Sequence, residues 1–132
     1  MTDEQIRACG FSFAKIKAIR DIAEKTRYGV IPSSRQIVKL SDAEIVARLT
    51  EVRGVGRWTV EMLLIFQLGR ADILPADDFG VRTGFRIAYK QREMPKPKEL
   101  LAFGEKWKPH RTTAAWFLWR AADAAKDAKK KK

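Results

Sequence analysis

The sequence predicts an all-α protein, and three kinds of observation support that prediction. Thr2 stands three residues before Gln5 and Ser41 stands three residues before Glu44, which is the capping-box pattern of a helix start. Apolar residues recur every three or four positions in several segments, as on the buried face of a helix. No segment alternates apolar and polar residues as a half-buried strand does. We therefore expect roughly seven helices and no sheet.

Residues 1–40 are expected to form two helices and a connector. Thr2 and Gln5 make a capping box for a short helix that stops before Gly10. Ser12 is expected to cap a longer helix, and its apolar face is formed by Ile16, Ile19, Ile22 and Ala23. We expect this face to be buried and the basic residues of the same helix to lie in solvent.

A helix and a glycine turn come next. Ser41 and Glu44 form a second capping box. The next turn, Glu51–Gly56, contains Gly54 and Gly56, which allow a sharp bend and the close approach of another molecule. The amides of the helix that begins near Arg57 or Trp58 suit a phosphate oxygen. Two helices joined by such a turn in a basic chain resemble a helix-hairpin-helix, a DNA-backbone clamp, although most such turns only connect helices.

The segment Trp58–Leu68 is apolar on nearly every side, which predicts a central helix with neighbours all round it. A loop with Pro75 leads to another helix, which is expected to start at Asp77 or Asp78. Its predicted core stripe is Val81, Phe85, Ala88 and Tyr89.

The last third of the chain is expected to contain a short helix at Lys98–Lys106, a basic aromatic turn at Trp107–Arg111, and a final helix. The final helix is expected to run from about Arg111 to Ala125, with Ala115, Leu118 and Ala122 inside. We assign residues 1–125 to one domain, and residues 126–132 to a lysine-rich, disordered tail.

Composition indicates a nucleic-acid partner and excludes several other classes. The chain has 132 residues, a net charge of +11 and a pI near 10.1, which is typical of a domain that binds nucleic acid. The single cysteine, Cys9, excludes an internal disulfide, a four-cysteine iron–sulfur cluster and a structural zinc site within the chain. No apolar run is long enough for a membrane span, and the acidic N-terminus is not that of a signal peptide.

Asp78 is the main candidate for chemistry, because it stands beside Asp77 at a helix start and one carboxylate is enough for a cap. A purely structural role as a cap is the alternative for either residue.

Four motifs occur in order: Thr50–Thr59, Leu74–Arg82, Trp107–Arg111 and Phe117–Arg120. Together they resemble the DNA-3-methyladenine glycosylases II, which form the alkylation-repair branch of the helix-hairpin-helix, Gly/Pro/Asp glycosylase superfamily. The resemblance runs from about Thr2 to Ala122. It implies the helix-hairpin-helix DNA glycosylase fold, and a monofunctional hydrolase that removes alkylated purines such as 3-methyladenine during base-excision repair.

The resemblance implies that the second aspartate, Asp78, is catalytic and that Asp77 is the cap. A carboxylate can stabilise the oxocarbenium-like sugar while the extruded base departs. By the same resemblance Trp58, Met62 and Trp119 would line the base pocket, and the aromatic faces of the two tryptophans suit a flat cation. Some relatives carry tyrosine where this chain has Met62, so the pocket is expected to be less aromatic here.

Three of the tryptophans can be assigned structural roles. Trp58 can equally be a core residue. Trp107 and Trp116 are expected to serve in packing.

The resemblance also implies how the hairpin holds DNA. The amides of Gly54, Gly56 and Thr59 would bind phosphate, flanked by Arg53 and Arg57. A structural Na⁺ or K⁺ would be held by carbonyls of Thr50, Val52 and Val55, with no other cofactor and no iron–sulfur cluster. Bifunctional relatives use a hairpin lysine as a Schiff-base nucleophile, and Trp58 occupies that position here.

Relatives have helices before the point that corresponds to Met1, so the fold is expected to lack the family's N-terminal helices. We expect the chain alone to self-associate or to be marginally stable, with weak activity unless another polypeptide or the missing segment covers it. Exposed apolar residues are expected among Ile6, Phe11 and Phe13.

The partner is expected to be damaged double-stranded DNA rather than a membrane. The location is expected to be the cytoplasm, on the nucleoid in a bacterium. The alternative function is a non-catalytic helix-hairpin-helix DNA-binding module, or an inactive truncated glycosylase.

Overall fold

The computed structural model describes the backbone of residues 1–130 and the side chains of residues 1–128. All regular structure in that part of the chain is helical, which confirms the all-α prediction. The α-helices are α1 (Asp3–Ala8), α2 (Phe13–Arg27), α3 (Ser34–Ile37), α4 (Asp42–Leu49), α5 (Arg57–Met62), α6 (Phe79–Ala88), α7 (Pro97–Gly104) and α8 (Arg111–Lys130). A π-helical segment, Leu63–Gln67, comes after α5, and a 3₁₀ turn, Glu105–Trp107, comes after α7. None of the helices in residues 1–130 has the length and apolar character needed to cross a bilayer.

The chain divides into two compact units, Met1–Val60 and Glu61–Lys132. In the first unit the predicted caps are confirmed. Thr2 with Gln5 and Ser41 with Glu44 form reciprocal capping boxes, and the Ser12 hydroxyl accepts from the Lys15 amide.

The apolar face of α2 is less buried than its spacing predicts. Ile16 is buried, but Ile19, Ile22 and Ala23 are exposed, so the prediction of a buried stripe is wrong for three of its four residues. Spacing shows which residues share a face but not whether another element covers it. Phe11 and Phe13 are exposed, as expected, whereas Ile6 is partly buried.

The hairpin turn connects α4 to α5. Val55 donates its amide to the Val52 carbonyl at 3.0 Å, and Val60 donates to the Gly56 carbonyl at 3.3 Å. Gly54 has φ +78°, a left-handed conformation that glycine adopts without strain. Val52 is buried, which anchors the turn in the first unit.

The predicted single helix Trp58–Leu68 has two parts. α5 ends at Met62, and the π-helical segment continues with the Leu68 amide donating to the Leu63 carbonyl, five residues back, at 3.0 Å. Trp58 is 50% exposed and Phe66 is 67% exposed. The prediction of a helix buried on every side is therefore wrong.

The core of the second unit lies where α6 packs against α8. Its buried residues are Leu74, Ala76, Val81, Phe85, Leu100, Ala115 and Leu118. Gly84 makes the close approach feasible, because a Cβ there would lie 1.8 Å from the Leu118 carbonyl oxygen. Of the predicted α6 stripe, Ala88 and Tyr89 are not buried.

The final helix starts as predicted but is longer. Ala115, Leu118 and Ala122 are buried, as expected. α8 continues to Lys130, so residues 126–130 are helical rather than disordered, and residues 131 and 132 lie outside the described part of the chain. Alanine and lysine both have high helix propensity, which accounts for the extension.

Candidate functional site

Asp78 is the N-cap of α6. Its Oδ1 accepts the Val81 amide at 2.8 Å and the Trp119 Nε1–H at 2.7 Å. Its backbone is extended, with φ −66° and ψ 127°, which is the geometry that lets a cap side chain reach the third helical amide. Asp77 is exposed and lies one residue too early. The expectation that Asp77 is the cap is therefore wrong, because the candidate catalytic carboxylate performs that role itself.

Trp119 lies directly against the start of α6. A Cβ at Gly80 would lie 2.8 Å from Trp119 Cδ1 and 3.0 Å from Asp78 Oδ1. Real Cβ atoms do not approach other atoms at the first of these distances, so the indole–carboxylate hydrogen bond requires glycine at position 80. The structure thus brings together two of the predicted site residues, Asp78 and Trp119.

Phe66 extends this pair. Its ring stacks on Trp119 with a centroid separation of 5.9 Å and an interplanar angle of 26°. Phe66 was not predicted as a site residue, because it stands in an apolar run that was assigned to the core. The only sequence feature that distinguishes it is its aromatic ring.

The other tryptophans have different environments. Trp58, at the start of α5, is half exposed, so the alternative of a core residue is wrong. Trp107 packs against the core of the second unit and contacts the ring of Phe103, as predicted for a packing residue. Trp116 is 50% exposed and makes an edge contact with Phe117, so its assignment to packing is wrong. Met62, at the end of α5, is partly buried.

The loop before Asp78 is fixed by the start of α8. Arg111 donates from Nε to Asp72 Oδ1 at 2.7 Å and from Nη2 to Asp72 Oδ2 at 2.9 Å, a bidentate ion pair. These hydrogen bonds hold the pKa of the Asp72 carboxyl below its ordinary value. Thr112 donates its hydroxyl to the Arg70 carbonyl at 2.6 Å and accepts the Ile73 amide at 2.9 Å. No sequence pattern predicted these contacts, since Asp72 and Arg111 are 39 positions apart.

The predicted DNA-contacting residues of the hairpin are all exposed; they are Arg53, Gly54, Gly56, Arg57 and Thr59. At Gly56 an added Cβ would meet no atom of the described chain within 4 Å. The space at Gly56, directly before α5, is therefore open to an approaching group, and amides at a helix N-terminus favour an anion.

The predicted cation ligands are backbone carbonyls of the same hairpin. Thr50 is the C-cap of α4, where carbonyl oxygens carry partial negative charge, and the Val52 carbonyl is turned across the hairpin toward the Val55 amide. Hard neutral oxygen donors of this kind fit a monovalent cation. Within the described residues, no cluster of three or more His, Cys, Asp or Glu side chains could hold a metal.

Residues 1–110 match the family profile described as HhH-GPD superfamily base excision DNA repair protein. The chain belongs to the HhH-GPD superfamily. This match spans the hairpin, the Asp78 cap and α7, and it agrees with the resemblance that the motifs indicated.

Among the similar proteins are DNA-3-methyladenine glycosylases. The chain is 46% identical over 125 residues to DNA-3-methyladenine glycosylase 1 of Schizosaccharomyces pombe, covering 95% of this chain and 55% of that protein. A solved structure of the S. pombe 3-methyladenine DNA glycosylase in complex with abasic DNA superposes with a TM-score of 0.82 at 47% identity, covering 91% of this chain and 58% of that one. A DNA-3-methyladenine glycosidase from Bacillus halodurans superposes with a TM-score of 0.84 at 34% identity, covering 92% and 56%. The chain thus spans about half the length of these relatives.

Proposed function

We propose that this HhH-GPD chain carries the hairpin and the carboxylate of a monofunctional DNA glycosylase. In this proposal it hydrolyses the N-glycosidic bond of alkylated purines such as 3-methyladenine in duplex DNA. The observation that carries the proposal is the Asp78 carboxylate, which is held by the Val81 amide and the Trp119 indole beside the exposed ring of Phe66. The names of the relatives support the choice of an alkylated purine as substrate.

Asp78 acts in the proposed reaction as an electrostatic stabiliser. As the glycosidic bond breaks, positive charge develops on the sugar, and a fixed carboxylate close to it lowers the energy of that state. The electrons of the bond leave with the cationic base and neutralise it, and water adds to the sugar and gives its proton to the solvent. The two hydrogen bonds to Oδ1 fix the carboxylate before the substrate arrives, so little reorganisation is needed during the reaction.

The aromatic residues hold the extruded base. A base cannot be attacked while it is stacked in the duplex, so it is rotated out and received by flat side chains. We assign this role to the rings of Trp58 and Trp119, with Met62 adding an apolar side chain that is not aromatic, and we add Phe66 because it stacks on Trp119. An alkylated purine such as 3-methyladenine is cationic while it is attached to the sugar, and aromatic faces attract cations.

The hairpin binds the DNA backbone in this proposal. The amides of Gly54, Gly56 and Thr59 donate to phosphate, and Arg53 and Arg57 add long-range attraction. The carbonyls of Thr50, Val52 and Val55 would hold a monovalent cation, which would supply positive charge at the same turn. No further cofactor is needed for hydrolysis of this kind, and the protein acts wherever the cell keeps its DNA.

The test is base release from duplex DNA treated with a methylating agent. The purified chain is used in excess over DNA, so that even slow release is measured in a single turnover. We expect free 3-methyladenine with the wild-type chain and none with Asp78→Asn. Binding of the duplex without any release would favour the alternative, a non-catalytic DNA-binding module.

The product distinguishes a monofunctional from a bifunctional enzyme. The turn Glu51–Gly56 contains no lysine, so no Schiff base can form there. We expect abasic sites that break only on alkali treatment. A covalent protein–DNA adduct trapped by borohydride through the hairpin would contradict this.

A further inference from the structure

The hairpin is held in place by one face of α2. Three side chains on that helix, Ala18, Asp21 and Lys25, are spaced three and four residues apart and therefore share a face. Each of them contacts a different residue of the turn, and all of these contacts lie within the first unit.

The contacts run along the backbone of the turn. The Asp21 Oδ2 accepts the Arg53 amide at 2.6 Å, and Lys25 donates from Nζ to the Glu51 carbonyl. Asp21 and Lys25 also form an ion pair at 3.2 Å, in which both side chains are about three-quarters buried. A backbone amide and a backbone carbonyl that flank Val52 are thus fixed by two oppositely charged side chains that also fix each other.

Ala18 completes the contact surface. A Cβ at Gly54 would lie 3.3 Å from the Ala18 Cβ, so the turn lies directly on the helix at this point. The left-handed φ of Gly54 sets the direction in which the chain continues toward Gly56. The hydrogen bond from the Arg53 amide is also the main reason that the pKa of the Asp21 carboxyl lies below its ordinary value.

We propose that Asp21, supported by Lys25, is a positioning residue for DNA binding, which presets the hairpin so that the Gly54 and Gly56 amides meet phosphate without reordering. This inference rests on the proposed function of the hairpin as the DNA clamp. It assigns a binding role to a carboxylate, which by charge alone would repel DNA. A loop that must be ordered on binding binds more weakly, because ordering has an entropic cost.

The positioning role of Asp21 and its negative charge have opposite effects on DNA affinity, which makes the proposal testable. Removing a negative charge near phosphate should tighten DNA binding if charge alone matters. Asp21→Asn and Asp21→Ala remove the same charge, but only Asn keeps an oxygen that can accept the Arg53 amide. We expect Asp21→Ala to bind undamaged duplex about tenfold more weakly than Asp21→Asn, as loss of a charge-assisted hydrogen bond allows.

Glu24 supplies the matched control. It lies one turn along α2 and, with Asp21 and Arg53, lines the same surface cavity of about 290 Å³. We expect Glu24→Gln to bind duplex as tightly as wild type or more tightly. If Asp21→Ala binds as tightly as Glu24→Gln, the positioning role is refuted.

A second matched pair of variants tests the same contact between α2 and the hairpin without changing Asp21, so that a folding defect in Asp21→Ala does not decide the result. Lys25→Met and Lys17→Met each remove one positive charge from α2, but only Lys25 contacts the hairpin carbonyl. We expect Lys25→Met to weaken binding several-fold more than Lys17→Met. Equal losses would mean that only charge is involved, which would overturn the proposal.

Two further measurements separate this inference from the function on which it rests. Gly56→Val tests whether the hairpin contacts DNA. If it weakens binding while Asp21→Ala does not, the inference fails and the clamp remains. If neither affects binding, both fail. In the free protein, amide hydrogen exchange at residues 53–56 should be faster in Asp21→Ala than in wild type, with exchange in α4 unchanged, and unchanged exchange in the turn would refute the proposal.

Discussion

Replacing Asp78 separates its chemical role from its structural one. Asp78→Ala removes the carboxylate and both of its hydrogen bonds to Oδ1. Asp78→Asn keeps a side-chain oxygen at the same place and removes only the charge. Asp77→Asn, one residue earlier on an exposed side chain, changes the same charge without touching the cap.

The hydrogen bonds that each variant loses set the expected decrease in its free energy of unfolding. Loss of the N-cap in Asp78→Ala costs about 1 kcal/mol. Loss of a hydrogen bond between the Trp119 indole and a charged acceptor costs about 2 kcal/mol. The sum of about 3 kcal/mol corresponds to a fall in melting temperature of roughly 10 °C for a chain of this size. The free energy of unfolding of Asp78→Asn should fall by about 1 kcal/mol or less, because Asn also caps well. That of Asp77→Asn should equal the wild-type value.

The assay combines thermal unfolding with base release and duplex binding. We expect Asp78→Asn to fold and to bind DNA at least as tightly as wild type, while releasing no 3-methyladenine. We expect Asp77→Asn to match wild type in all three measurements. Base release by Asp78→Asn at the wild-type rate would refute the catalytic assignment. A melting temperature of Asp78→Ala equal to that of wild type would refute the structural one.

Three further predictions concern the hairpin, the helix contact and the loop before the cap. Affinity for duplex DNA should fall steeply as salt is raised from about 50 to about 200 mM, and Gly56→Val should bind more weakly at every salt concentration with an unchanged melting temperature; flat salt dependence would contradict the clamp. Gly84→Ala should destabilise the protein by about 3 kcal/mol or more, because its Cβ would overlap the Leu118 backbone, and a wild-type melting curve would show that α6 and α8 are not packed as described. Folding lowers the pKa of Asp72 from its ordinary 3.8, so the stability from its pair with Arg111 is present above that pH and is lost as pH falls below it. The gap in melting temperature between wild type and Asp72→Asn should therefore be large at pH 7 and shrink toward pH 3, and a gap independent of pH would be the contrary result.

Hydrogen bonds between residues close together in the chain were predictable from the sequence, but the burial of a helix face by other elements was not. The capping boxes at Thr2 and Ser41 form because their partners lie three residues away on the same chain. Burial of Ile19 and Ile22 depends on whether a second element packs on α2, about which their spacing says nothing.

The candidate site shows the same division. Two adjacent carboxylates at a helix start indicate that one is the cap and that the other is available for chemistry. Local rules do not say which of the two is the cap. In the structure the cap is Asp78. Asp78 also accepts a hydrogen bond from the Trp119 side chain on α8, 41 residues later in the chain. The hydrogen bond from the Arg53 amide to Asp21 joins residues 32 positions apart, and no local sequence pattern indicates it either. In each case the sequence could not reveal a hydrogen bond between elements that are distant along the chain.

The π-helical segment Leu63–Gln67 makes the aromatic pair sensitive to chain length as well as to side-chain identity. A π-helical turn holds about one residue more than an α-helical turn, so it is equivalent to a single-residue insertion in a regular helix. Deleting one residue there would restore the regular α-helical pitch and leave the residues on either side on their present faces, because the wider turn accommodates the additional residue. If the deleted residue were Phe66, the stacking on Trp119 would be lost while the rest of the segment kept its register. The aromatic pair can therefore be removed or introduced by the loss or gain of one codon, without any rotation of the helix that precedes it.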